Sequence, residues 1–179
     1  MQYRLIFLVG YMACGKSTLG QALSDTGCAD FVDLDEVVTS RTGLSPAEWF
    51  SRHGEAAFRQ AEVEALRRIE PNADRPLIVA TGGGTPCNEG AMEHMLRAGS
   101  VVWLKASLDR TVARLLEADG QRPLVAGMDE DALRRFIPGH FGLRKPFYAK
   151  ADFVFDSSRL DTPEEIAATV QKFKDSFNL

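Results

Sequence analysis

Short apolar runs alternate with longer amphipathic stretches along this chain of 179 residues. The runs at residues 5–9, 31–34, 77–80, 101–104 and 152–155 read as five strands. Consecutive Val, Ile, Leu and Phe without polar alternation predict strands covered on both faces, as in a parallel sheet. A helix follows the first run over about 16–24. Residues 55–69 place Ala57, Ala61, Leu66 and Ile69 among Arg and Glu, the spacing of a surface helix. Ser45-Pro46-Ala47-Glu48 has the form of a capping box with proline at the first helical position, and Thr162-Pro163-Glu164-Glu165 repeats it. Strands alternating with helices predict right-handed crossovers and a three-layer α/β sandwich. Residues 118–127, rich in Gly, Asp and Pro, break that rhythm and suit a mobile lid.

Composition narrows the class further. Apolar residues make up 45% and charged ones 26%, enough to bury one full core without disulfides or metals. Lys and Arg number 21 against 25 Asp and Glu, so the net charge is −4 and wholesale nucleic-acid binding is disfavoured. Small anions remain possible ligands wherever basic residues converge. Cys14, Cys28 and Cys87 form no paired framework, which fits a reducing compartment. No apolar run reaches the ~18 residues of a membrane span. Residues 4–14 have the outline of a signal peptide, but Gly15-Lys16-Ser17-Thr18 assigns the same stretch to a buried strand entering a phosphate loop. A cytoplasmic location is therefore expected.

Gly10-Tyr11-Met12-Ala13-Cys14-Gly15-Lys16-Ser17 matches GxxxxGK[ST] in full, after an apolar strand and before a helix. Gly10 and Gly15 let the backbone curl so that successive N–H groups point at phosphate oxygens, and the helix start adds its positive dipole end. Lys16 brings a full charge to the β- and γ-phosphates, and Ser17 offers a hydroxyl to Mg²⁺. A nucleoside triphosphate is the ligand this implies. The second run ends in Asp33-Leu34-Asp35, read as two carboxylates on the same side of an extended segment, or else as helix N-cap acids. The third run ends in Thr81-Gly82-Gly83-Gly84, not in the acid that commonly orients Mg²⁺, which moves that role to Asp33. Three bare backbone units let a ligand lie close.

Taken in order, these residues resemble the shikimate kinase family, a nucleoside-monophosphate-kinase-like branch of phosphate-loop folds. The resemblance runs from about residue 5 to 156 and includes His53-Gly54-Glu55-Ala56-Ala57-Phe58-Arg59 with Glu62, Arg122-Pro123-Leu124, and Arg144-Lys145-Pro146-Phe147-Tyr148. It implies a single-domain kinase over 1–179, with strand order 2-3-1-4-5, a substrate-binding helical region at about 35–68 and a lid at about 117–128. It implies transfer of a phosphoryl group from MgATP to the 3-hydroxyl of shikimate, a step of aromatic amino acid biosynthesis. Arg59 and Arg144 correspond to the carboxylate-binding arginines, suited by their paired donors. Asp35 corresponds to the residue that holds the acceptor hydroxyls and assists proton removal. Gly82, Gly83 and Gly84 face the same substrate, with Gly83 as backbone donor. Gly10, Ala13, Cys14, Gly15, Lys16, Ser17 and Thr18 surround ATP, Ser17 and Asp33 stand on the Mg²⁺ side, and Arg122 closes over ATP. Asp35, Lys16 and Arg122 are the catalytic set so implied.

Each arginine also has a plain structural role open to it. Arg59 can pair with Glu62 one turn on, Arg144 can stabilise a helix C-terminus, and Arg122 can be idle in a polar loop. Cys14 departs from the small residues usual in the loop and is expected to face away from the phosphate, Phe147 stands where Leu is usual, and Lys150 where an acid is. Trp49 and Phe58 are expected as pocket wall, Phe50 as wall or core, and Arg159 as solvent-exposed. His53, His94 and His140 lack ligand spacing, so no structural metal is expected. Gluconate and nucleoside-monophosphate kinases share the fold, but a nucleotide kinase needs a second anion site and a more arginine-rich lid. An ATP-binding regulator without chemistry would not need Asp35, Arg59 and Arg144. A monomer is expected.

Overall fold

Residues 5–9 form the central strand β1 (Leu5–Val9), and every one of them is buried. The structure is a computed structural model that describes residues 4–71, 74–118 and 123–179. β2 (Asp30–Asp33), β3 (Leu77–Ala80), β4 (Ser100–Lys105) and β5 (Phe153–Asp156) complete a five-stranded sheet in the order β2-β3-β1-β4-β5. All its pairings are parallel, with Leu5 opposite Leu77 and Phe7 opposite Val101. Alternate residues feed two cores, as the two-residue period of a strand requires. Leu5, Phe7 and Val9 join Val79, Val101 and Trp103 on one face, and Ile6 and Leu8 join Ile78, Val102 and Leu104 on the other.

The helices are α1 (Lys16–Asp25), α2 (Leu34–Thr42), α3 (Pro46–Arg67), α4 (Ala91–Ala98), α5 (Leu108–Glu117), α6 (Glu130–Tyr148) and α7 (Pro163–Phe177), with 3₁₀ turns at Thr85–Cys87 and Pro123–Val125. The Ser45 capping box is complete: its hydroxyl accepts from the Glu48 amide at 3.3 Å and Glu48 accepts from the Ser45 amide at 2.8 Å. That box starts α3 at Pro46, and Gly54, non-helical at φ +79°, interrupts it, so the stretch that follows is the helix expected at 55–69, ending at Arg67. At Thr162 half the device forms. The Thr162 hydroxyl caps the Glu165 amide, but the Glu165 carboxylate reaches the Asp161 amide instead.

Two expectations need correction. The second strand stops at Asp33, and Leu34 and Asp35 belong to α2. Coverage on both faces also fails at β5, an edge strand whose Val154 is 62% exposed while Phe155 is buried against Phe173 of α7. Among the described residues no helix is long and apolar enough to cross a membrane.

Candidate active site

The carboxyl ends of β1, β2 and β3 open on one side of the sheet, and the chain turns there into the loops that form a cleft. Gly10 has φ +144°, and a Cβ on it would stand 2.5 Å from the Leu104 carbonyl oxygen. Ala13 and Gly15 also take positive φ, +56° and +93°, before α1 begins. Gly15 provides no side-chain cap, so the first amides of α1 gain no partner from it. Lys16 is buried, its ammonium donating to the Gly10 and Tyr11 carbonyls at 2.9 Å each. The Cys14 side chain is buried in the core shared with Leu8 and Leu19, its amide donating to the Tyr11 carbonyl at 3.3 Å.

Ser17 and Asp33 meet directly: the Ser17 hydroxyl donates to Asp33 Oδ2 at 2.6 Å. Asp33 Oδ1 accepts from the Asp35 amide at 3.0 Å and so caps α2. The two acids are thus separated by a helix start and do not share an extended segment. The cap leaves Asp33 beside the phosphate loop and turns Asp35 toward the glycine triplet, with Oδ1 3.2 Å from where a Cβ would sit on Gly82. A hydroxyl and a carboxylate at 2.6 Å are hard oxygen donors, the type Mg²⁺ takes while keeping most of its water and phosphate ligands.

Each glycine of the triplet has a charged side chain lying against it. A Cβ would stand 2.5 Å from Glu62 Oε1 at Gly82, 3.3 Å from Arg144 Nη1 at Gly83, and 2.8 Å from the Arg59 guanidinium at Gly84. Arg59 is held in place by Glu62 at 2.6 Å and Glu55 at 3.2 Å. Glu62 is fully buried, and Thr85 donates to its other oxygen at 2.6 Å. Burial works against the charge of Arg59, but Glu62 and Glu55 outweigh it and raise the guanidinium pKa. Arg144 comes from the penultimate turn of α6, where it faces Gly83. Burial raises the Cys87 thiol in spite of Arg144 and Arg59 nearby.

Two adjoining clefts share the triplet. One, of about 400 Å³, is lined by Lys16, Ser17, Asp33, Asp35 and Gly82, and continues to Arg114, Leu160 and Asp161. The other, of about 520 Å³, is lined by Arg59, Gly84, Cys87, Asn88 and Arg144. The expected residues Asp35, Arg59, Gly82, Gly83, Gly84 and Arg144 are therefore brought together, and Ala13, Gly15 and Thr18 line the first cleft with Lys16 and Ser17. Arg122 and the Phe50 side chain lie outside the described residues. Phe58 is buried and Trp49 packs against the same core, so neither lines these two clefts. Arg159 is exposed, as expected.

The sequence reading missed Arg114, whose guanidinium bonds the Ala13, Ser157 and Ser158 carbonyls and Asp161 at 2.6–3.2 Å. Nothing in the sequence singled it out, because its partners come from residues 13, 157, 158 and 161, far away along the chain.

The shikimate kinase family model matches residues 12–174. The chain belongs to the shikimate kinase family. It is 37% identical over 174 residues to a shikimate kinase of Bacteroides fragilis, covering 97% of this chain and 96% of the relative. A shikimate kinase of Flavobacterium johnsoniae is 42% identical over 149 residues, covering 82% and 85%. The crystal structure of shikimate kinase from Bacteroides thetaiotaomicron superposes with a TM-score of 0.89 at 35% identity, over 99% of each chain. That of the Acinetobacter baumannii shikimate kinase in complex with shikimate gives 0.77 at 25% identity, over 98% of this chain and 93% of that one. As a member of the family the chain is an ATP-dependent phosphotransferase.

Proposed function

We propose that this chain transfers the γ-phosphoryl group of MgATP to the 3-hydroxyl of shikimate, with the residues of the two clefts in the following roles. Residues 10–18 wrap the β- and γ-phosphates with backbone amides, and the Lys16 ammonium neutralises the charge that develops there. Ser17 and Asp33 would hold Mg²⁺, which screens the phosphates and fixes their geometry. Arg59 and Arg144 bind the shikimate carboxylate through paired donors, and Gly82, Gly83 and Gly84 present bare backbone to the ring. Asp35 holds the acceptor hydroxyls and takes the 3-hydroxyl proton as the oxygen–phosphorus bond forms. The bond from the γ-phosphorus to the bridging oxygen breaks and ADP leaves. Most of the rate comes from alignment and charge neutralisation.

The single observation that carries this reading is the placing of two arginines against the bare backbone of Gly83 and Gly84, with Asp35 against Gly82, beside a complete phosphate loop. Arg122 in a lid at about 117–128 is assigned to closing over ATP, and residues about 35–68 to receiving the acceptor. A cytoplasmic monomer is the working state, acting on small molecules alone, without nucleic acid or membrane. The test is Arg144→Ala: shikimate-dependent turnover falls by at least about a hundredfold while ATP affinity changes by less than about twofold. Unchanged turnover in that variant would remove Arg144 from the acceptor site.

A further inference from the structure

His140, Arg144 and Tyr148 follow one another at intervals of four residues on α6, so they share one face of the helix. The two outer residues are tied to different walls of the cleft. The Tyr11 hydroxyl of the phosphate loop is hydrogen-bonded to His140 Nδ1 at 2.7 Å. The Tyr148 hydroxyl donates to the Gly83 carbonyl at 2.6 Å, against the same glycine that Arg144 faces. Between them stands Arg144, with Nη1 3.3 Å from the position of a Cβ on Gly83.

Neither tyrosine can turn its hydroxyl elsewhere without moving its ring. Tyr148 is fully buried, with ring centroids 5.9 Å from Trp103 and 6.3 Å from Phe141. Tyr11 is 4% exposed and meets His140 and Phe141 edge-on. Because a peptide unit is planar, holding the Gly83 carbonyl also holds the Gly84 amide in the same plane, against which Arg59 lies.

We infer that Tyr148 and the Tyr11–His140 pair are positioning residues, which mount α6 on the glycine triplet and on the phosphate loop at once and thereby fix Arg144 relative to both substrates. The inference rests on the reading of Arg144 and the triplet as the acceptor site. Neither mount touches the reacting atoms. With one mount cut, the other restrains α6 only in part; with both cut, Arg144 loses both restraints.

Tyr148→Phe keeps the ring and removes the hydroxyl alone, and Tyr11→Phe does the same at the second mount. Steady-state kinetics should show the shikimate KM raised about tenfold in Tyr148→Phe and about threefold in Tyr11→Phe, with kcat lowered less and the ATP KM within about twofold of wild type. The double variant should exceed the product of the two single effects, because each mount masks the loss of the other. A wild-type shikimate KM in both single variants overturns the inference, as does a double variant equal to the simple product. Should Tyr148→Phe fail to fold, Tyr11→Phe is decided by its own shikimate KM. The wild type is run alongside. If it fails to turn over shikimate, the proposed function falls and this inference with it; wild-type turnover with unaltered variants defeats the inference alone.

Discussion

At Gly84 the backbone has φ −92° and ψ −17°, a conformation any residue adopts. Its lack of a side chain therefore answers to the Arg59 guanidinium, pinned by Glu55 and Glu62, that a methyl group would meet at 2.8 Å. Gly84→Ala should displace Arg59 and raise the shikimate KM about tenfold, with the ATP KM and the denaturation midpoint close to wild type. A variant with unchanged shikimate KM would show that Arg59 can give way without cost. Ala13 presents the opposite case, an alanine held at φ +56° where glycine would be relaxed. Ala13→Gly should relieve a left-handed conformation costing about 1 kcal/mol, offset in part by the greater freedom of glycine in the unfolded chain. The lysine and hydroxyl of the phosphate loop were legible from a motif whose residue types chemistry fixes, whereas Asp35, Arg59 and Arg144 were picked out through the resemblance to the family, and the structure lines the two clefts with them. Arg114 was not, because what marks it is its ring of four partners, three of them carbonyls brought from residues 13, 157 and 158.

Elements were legible where local chemistry decides them and less so where packing does. The Ser45 box predicted the start of α3 because both of its hydrogen bonds are local. The boundary between β2 and α2 was misplaced by one residue, since Leu34 is equally apolar in either element and the Asp33 cap decides between them. β5 reads as a run with no polar alternation, yet its neighbours Val154 and Phe155 differ in exposure, 62% against 5%. Sequence shows the run but not that Val154 is left largely exposed. Val154→Thr should therefore change stability by less than about 0.5 kcal/mol, whereas Phe155→Ala, which empties the contact with Phe173, should cost about 3–5 kcal/mol in chemical denaturation. Equal losses at the two positions would mean that β5 is covered on both faces after all.

Across the whole molecule, the order β2-β3-β1-β4-β5 brings the carboxyl ends of the three strands β2, β3 and β1 side by side, so that phosphate loop, acids and glycine triplet meet although they lie far apart in sequence. The pH response also belongs to this scale. His140 and His94 are both held below the ordinary imidazole value of 6.5, by burial first and by nearby arginines second. A histidine that protonates more readily in the unfolded chain adds nothing above that value and costs stability as the pH falls below it, down to its folded pKa. Denaturant midpoints should thus fall over the range of pH just below about 6.5, and His140→Gln should flatten part of the fall. A wild-type midpoint constant over that range would contradict the sign. The most direct test of the central claim is ADP release by the purified protein with MgATP, measured with shikimate, gluconate and nucleoside monophosphates as separate acceptors. Turnover that depends on shikimate, and is absent with the others, is the expected result. Turnover with gluconate or a nucleotide but not with shikimate would mean that Arg59 and Arg144 bind a different anion, and would contradict the function proposed here.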